Sequence, residues 1–461
     1  MKKSHLALFV ILIVASLFIG CSSSRKARLT EAPVVESSEP SPQALDLFIK
    51  GVVYDQQGEI TRAIASYRKA LQFDSTSASI YLALAEDYLA LNLYDDVFEH
   101  LHSALRYEPL NAEVISFLSD LYLRMNLPDS AAYYVERIVD AHPGDNDFRH
   151  RLAVIYMRSN RLSEATEQLE AILETEPQDE GALQQLSTLY IAQRDFQKAY
   201  DIAYQLYEMN PADDRLCFTL ASLLAELREP ERADSFFARA AELNPDDPRY
   251  FTNWAYLHLD NGDPGKSVEI LEAGTFHHPT SADIWGLLGS AHYQAGEDSL
   301  ALEALDLSLE LDASRIGSYI TLGFIYDDKG ELDKALEVYN QALTVAPQDA
   351  LLLNNYAYLL AQKKERLDEA MSMVDQALSL SPDNASYLDT KGWVYFALDD
   401  YENALIYLFK ALEYDPENAA IYDHLGDVYA AQGDAVKARS HWKKALEYDR
   451  DNLAIREKMA R

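Results

Sequence analysis

Cysteine is nearly absent: Cys21 and Cys217 are the only two in 461 residues. A disulfide framework is therefore excluded as the source of stability. Basic residues are scarce beside acidic ones, 40 Lys and Arg against 75 Asp and Glu, for a formal net charge of −35. A surface of that sign repels phosphate, which argues against nucleic acid as a partner. It equally disfavours lying flat on an anionic bilayer. The N-terminal apolar run, Leu6 to Ile19, is about 14 residues long, short for a helix that must cross roughly 30 Å of hydrocarbon. Motifs of catalysis are missing too, with no H-E-x-x-H, G-x-S-x-G or C-x-x-C anywhere. Gly265-Lys266-Ser267 has the tail of a phosphate loop, but Asp260 stands where its first glycine belongs. His277-His278 has no glutamate at zinc-protease spacing. No enzyme, metal or cofactor is expected.

What the chain has in quantity is repetition. Pro109, Pro143, Pro177, Pro211, Pro245 and Pro279 are spaced 34 residues apart, and after Ala313 the series resumes at Pro347, Pro382 and Pro416. A period of that length signals stacked helix–turn–helix units, which offer a long surface instead of a catalytic pocket. With Ala44, Ala78, Ala112 and their successors as position 1, position 8 is Gly, Ala or Ser in all twelve units, from Gly51 to Gly426. Position 20 is alanine in ten of twelve, with Val97 and Ser267 the exceptions. Small residues at both places let two antiparallel helices approach closely. Position 11 is tyrosine in eight units, and position 15 is Gly or Asn in eight, from Gly58 to Gly433. Gly or Asn there suits a left-handed residue between the helices. Each late proline ends its second helix. Cys217 falls at an interior position and reads as a small buried hydrophobe.

The small residues at positions 8 and 20, the aromatic at 11 and the proline at 32 resemble the tetratricopeptide repeat. Trp285-Gly286-Leu287-Leu288-Gly289 and the run from Tyr422 through Leu425-Gly426 to Tyr429 are similar to its W-x2-L-G-x2-Y opening. The resemblance covers roughly residues 43–450. It implies an all-α fold, a right-handed α-solenoid of about twelve repeats, with a capping helix over 451–461. The stretches Leu388 to Tyr395 and His424 to Asp427 look like the end of bacterial envelope proteins of this family.

In that family positions 2, 5, 9, 12 and 13 of the first helix line a partner-binding groove. Carried over, positions 5 and 9 give Asn354, Tyr358, Asp389, Trp393, Asp423 and Asp427, and position 12 adds Phe396. Further back lie Phe218, Tyr256, Tyr293, Ile320 and Phe324. The family's Lys/Asn clamp for a terminal carboxylate is missing, so an acidic tail is not the implied ligand. Trp393 on the groove side, with Asp389, Asp423 and Asp427 around it, is a natural anchor for a basic or mixed segment. Packing sideways against the neighbouring helices is the other reading of the same ring. Repeats seven and eight depart from the pattern, with His258 and His292 at position 11, Gly274, Pro264 and Ala313. A hinge near 258–282 or neutral drift would each account for this.

The N-terminus is a separate signal. Lys2 and Lys3 precede the apolar run, which ends at Gly20-Cys21, in the order of a secretory leader. Leu17-Phe18-Ile19-Gly20-Cys21 resembles the lipobox of bacterial lipoproteins, with Phe18 where Leu is usual. The resemblance implies that residues 1–20 are a signal peptide and that Cys21 becomes a lipidated, palmitate-bearing N-terminus. An ordinary secretory signal or an uncleaved anchor is the alternative. Ser22 after the cysteine points, by the family's sorting rule, to the outer membrane facing the periplasm. Residues 21–42, rich in Ser, Pro and Glu, read as a disordered tether, with a typical span of roughly 25 Å.

The expected function is thus a membrane-anchored scaffold for a bacterial envelope assembly: outer-membrane biogenesis, secretion, pilus or cell-wall machinery. Its partners would be other envelope proteins or peptides, with the membrane touched only through the lipid. A carbohydrate- or peptidoglycan-binding module is the alternative, and its mark would be further groove aromatics beside polar residues.

Overall fold

The structure, a computed structural model, describes residues 41–460. The leader, Cys21 and the tether up to residue 40 lie outside the described residues. Within them are 25 α-helices and no strand. Twenty-four helices pair into twelve hairpins, from Pro42–Gln56 with Ile60–Ala70 to Ala419–Ala431 with Ala435–Tyr448, and Leu453–Ala460 follows as the last. Below, helices A and B are the first and second of each hairpin. The hairpins form two compact units. Residues 41–212 hold five hairpins, and residues 213–460 hold seven with the last helix.

Helix starts follow from the proline comb. Two residues after most of the prolines stands an Asn, Asp or Ser whose side chain accepts a backbone N–H of the next first turn. Asn111, Asp145, Asp179, Asp213, Ser281, Asp349 and Asn384 all cap a helix A in this way. A cap of this kind contributes about 1 kcal/mol. Where Ala313 replaces proline, Asp312 accepts from the Ser314 N–H at 2.9 Å and makes the turn by another route.

Close helix approach is visible in the burial pattern. Position 20 is buried in every hairpin, from Ala63 through Val97 and Ser267 to Ala438. Position 8 is buried throughout as well, and where it is glycine the side chain at position 24 of the facing helix occupies the space of a Cβ. A Cβ on Gly323 would lie 2.2 Å from the Tyr339 ring, and one on Gly426 would lie 2.3 Å from Trp442. Where position 24 is the smaller Leu101, position 8 is Ala85, both fully buried. The ring at position 11 reaches the preceding hairpin: Tyr156 donates to Glu136 at 2.8 Å and Tyr190 to Glu170 at 2.6 Å.

The irregular residues of repeats seven and eight are accommodated locally. Pro264 stands at the head of Pro264–His277, where its missing N–H costs nothing. Gly274 makes room for Phe251, whose Cβ would be 3.1 Å from an added methyl. The segment 258–282 lies inside the second unit, and the division between units falls at Ala212 and Asp213.

The turn residue at position 15 has positive φ in all twelve hairpins, including four that are neither Gly nor Asn: Arg194, Arg228, Lys364 and Asp399, at 55° to 61°. An L-residue held there costs on the order of 1–2 kcal/mol. Arg194→Gly is expected to raise the unfolding free energy of the first unit, and with it the urea midpoint, by up to about 1 kcal/mol of free energy once the looser unfolded chain is counted. An unchanged or lowered midpoint, read by circular dichroism, would show that the turn stores no strain.

Candidate functional site

The seven groove residues fall on three successive A helices of the second unit. Asn354 and Tyr358 lie on Ala350–Lys363, Asp389, Trp393 and Phe396 on Ala385–Ala397, and Asp423 and Asp427 on Ala419–Ala431. Positions 5 and 9 are one helical turn apart, so each helix shows its pair on one face.

The carboxylates are not open to solvent as a free acidic ring. His424, one residue along at position 6, is buried, and its Nδ1 lies 2.8 Å and 3.0 Å from the two oxygens of Asp389. Its ring stacks on Trp393 with centroids 4.2 Å apart and planes 24° from parallel. Trp393 stacks in turn on Phe396 at 4.7 Å. The Asp423 and Asp427 carboxylates are both taken by Lys458 of the last helix, whose Nζ donates to them at 2.7 Å to 2.9 Å. Trp442 Nε1 also donates to Asp427, at 3.2 Å. Of the two readings of Trp393, the geometry favours packing against the neighbouring helix, and Asp389, Asp423 and Asp427 all have partners within the chain. The tryptophan is half-buried and packs sideways, Asp389 meets the His424 ring, and Asp423 and Asp427 meet Lys458.

Three buried polar atoms in this region have no hydrogen-bond partner among the described residues: Asn354 Oδ1, Asn355 Nδ2 and Trp393 Nε1. The Asn354 amide does donate to Asn355 Oδ1, at 3.3 Å.

Electrostatics follow from burial and proximity. Burial pushes the Asp423 carboxyl up, and Asp427 adds to this against the opposing pull of Lys458. For His424 burial favours the neutral ring, yet Asp389, Asp423 and Asp427 together outweigh it and the net shift is upward. Tyr358 is raised by burial and by the same three acids with Asp327. No group of three or more metal-ligating side chains occurs among the described residues.

His424 and Lys458 are the residues the groove positions miss, and they share a register. Both stand at position 6, Lys458 being 34 residues after His424. The same step recurs elsewhere. Arg151 at position 6 pairs with Asp120 at position 9 of the hairpin before it. Thr321 at position 6 bonds Ser290 at position 9, at 3.1 Å. At these four junctions position 6 of one helix A latches onto position 5 or 9 of the previous one.

Models described as tetratricopeptide repeat match residues 82–146, 127–189, 190–252, 252–316, 316–349, 350–384 and 385–418, and one described as TPR repeat matches 51–92. The chain belongs to the tetratricopeptide-repeat family. Among curated proteins none matches this sequence. Two solved structures are similar in fold alone. The hetero-tetramer Cut9–Hcn1 of the APC/C is 14% identical, with 90% of this chain and 89% of that chain covered and a TM-score of 0.45. Yeast Tom70 is 17% identical, with 88% and 92% covered and a TM-score of 0.40. Arrays of this family present repeated surfaces to protein partners, and the chain is an interaction scaffold in that sense.

The raised pKa of His424 has a definite sign. Its charged ring stabilises the folded unit fully below the unfolded value of about 6.5, and that contribution is lost as pH rises through the folded value. The melting temperature of the second unit is therefore expected to fall between pH 6 and pH 9. In His424→Gln this dependence should shrink, and an unchanged pH profile in the variant would remove the buried ion pair as its cause.

Proposed function

We propose that this chain is a lipid-anchored envelope scaffold of a bacterium, tethered through Cys21 and docking protein partners along its A-helix faces. The observation that carries the docking part is exposure of large aromatics at position 9. Tyr256 on Pro248–Asp260 is 43% exposed and Phe324 on Ile316–Asp328 is 42% exposed. Both belong to the second unit and lie in the register of Tyr358 and Trp393. Rigid rings offering apolar area without a covering side chain are suited to anchor a partner. The anchoring part rests on sequence: the charged start, the short apolar run and Leu17-Phe18-Ile19-Gly20-Cys21. Among the described residues no helix is long and apolar enough to cross a membrane.

Candidate assemblies are outer-membrane biogenesis, secretion, pilus and cell-wall machinery, with partners that present basic or mixed segments to a chain of net charge −35. The role is non-catalytic: it positions other proteins near the membrane, and the tether sets how far from the lipid they sit. The acids paired in cis at repeats eleven and twelve move the expected contact toward the aromatic rows.

Two measurements test this. Cys21→Ser is expected to abolish incorporation of labelled palmitate and to leave precursor or soluble protein, whereas equal labelling removes the lipoprotein reading. Crosslinking of the anchored protein, read by mass spectrometry, is expected to place a partner on A helices. Tyr256→Ala with Phe324→Ala should weaken that partner by at least about 2 kcal/mol, the size of a binding hot spot. Crosslinks confined to B helices would place the docking surface elsewhere.

A further inference from the structure

The last helix, Leu453–Ala460, is held to the array by little. Ile455 is its one buried residue, seated with Ala438, Trp442 and Ala445, and Met459 rests against the same cluster. Leu453 is 69% exposed, and Arg456 and Glu457 face solvent. Beyond that apolar seat, its link to helix A of repeat twelve is Lys458 between Asp423 and Asp427. A helix of eight residues is unstable by itself in water, so a helix that leaves its seat also unfolds and does not compete strongly to return.

The seat it covers is demanding. Asp423 and Asp427 are four residues apart on one face, and burial already raises the Asp423 carboxyl. Removing Lys458 without replacement would leave two partly buried carboxylates facing each other, which is costly. Whatever displaces the helix must bring a cation. The apolar requirement is equally specific, because Ile455 fills a cluster walled by Trp442, whose Nε1 is tied to Asp427. Ile455 and Lys458 are three residues apart on one helical face.

We propose that Asp423, Asp427 and the seat beside Trp442 form a docking site for a short helix of a basic protein partner, which carries an aliphatic residue followed three positions later by lysine or arginine, and that Leu453–Ala460 keeps this site filled until the partner displaces it. The proposal deepens the reading of the chain as an interaction scaffold and rests on it. Charge selects the occupant: the chain carries 75 acidic against 40 basic residues, so a basic helix is steered toward it and a second copy of this acidic chain is repelled. The last helix competes as a tethered ligand at an effective concentration in the millimolar range. A partner therefore needs either higher intrinsic affinity or a second foothold on the array.

The test uses the full chain and a labelled alanine–glutamine helix that carries only an isoleucine and a lysine three positions apart. A loosened variant, Ile455→Ser with Lys458→Ser, is expected to bind this probe at least tenfold more tightly than the wild type, by fluorescence anisotropy. Replacing the probe's lysine by glutamine, or adding Asp423→Asn and Asp427→Asn to the protein, should each cost tenfold or more. Equal binding by loosened and wild-type chains, or indifference to the probe's lysine, overturns the proposal and makes the last helix a structural cap. Should the loosened variant lose its native melting transition, hydrogen exchange in the wild type decides. Amides of 453–460 must exchange at least tenfold faster than those of 435–448, and faster still with excess probe; equal protection overturns displacement. Neither failure touches the aromatic rows, since the effect of Tyr256→Ala with Phe324→Ala on partner binding is measured separately.

Discussion

Everything in this molecule depends on how closely helix A and helix B of one hairpin approach. The contact is made by position 8 on one helix and positions 20 and 24 on the other, and all of them are buried in hairpin after hairpin. Where position 8 is glycine, a side chain at position 24 of the facing helix fills the space that a Cβ would need. Glycine stands opposite Tyr339 and Trp442, alanine opposite Leu101. Close packing makes this matching necessary, because an extra methyl against a buried ring has nowhere to go. Once the hairpin is fixed, helix A presents positions 5 and 9 on one side and position 6 toward its neighbour. The face that positions 5 and 9 form is thus a geometric consequence of core packing within each hairpin.

The second constraint is the step from one hairpin to the next. A polar or charged side chain at position 6 reaches back to positions 5 and 9, as Arg151 does to Asp120 and His424 to Asp389. In an array stabilised by nearest-neighbour interfaces, such a latch sets local stability at each junction. It also spends the groove's own acids on holding the array together. At position 9 of two other repeats, Tyr256 and Phe324 stay exposed. Contacts between hairpins therefore draw on the same positions that the proposed docking face would use.

The fold was legible because its information is periodic: a 34-residue spacing of proline, small residues and rings survives substitution at any single place. Turn geometry was legible at the Gly and Asn positions and hidden at Arg194, Arg228, Lys364 and Asp399, where packing on both sides overrides local preference. Placement of Asn354, Tyr358, Asp389, Trp393, Phe396, Asp423 and Asp427 on three successive A helices could be read from register. Their state could not. Whether Asp389 faces solvent depends on His424 in the next hairpin, and whether Asp423 does depends on Lys458 in the last helix. A pairing between repeats leaves no mark within one repeat. The signal that was available is the recurrence of a polar side chain at position 6, visible only when consecutive units are compared.

Excess acid imposes a further choice wherever carboxylates are buried. The second unit answers with cations, His424 and Lys458. The first unit has another solution. Asp87 is nearly buried beside Asp55, and Tyr67 donates to Asp55 from the facing helix. Asp55 Oδ1 and Asp87 Oδ2 have no other partner among the described residues. Burial and the neighbouring Asp55 carboxyl push Asp87 up to about 7, so below that pH a proton takes the role that a lysine has at Asp423. The sign is the same for both sites. An acid whose folded pKa is raised stabilises the fold fully below its unfolded value and loses that contribution as pH rises through the folded one. A raised histidine behaves alike. At these particular sites the contribution is largest on the acid side, and it declines as the raised groups lose their protons.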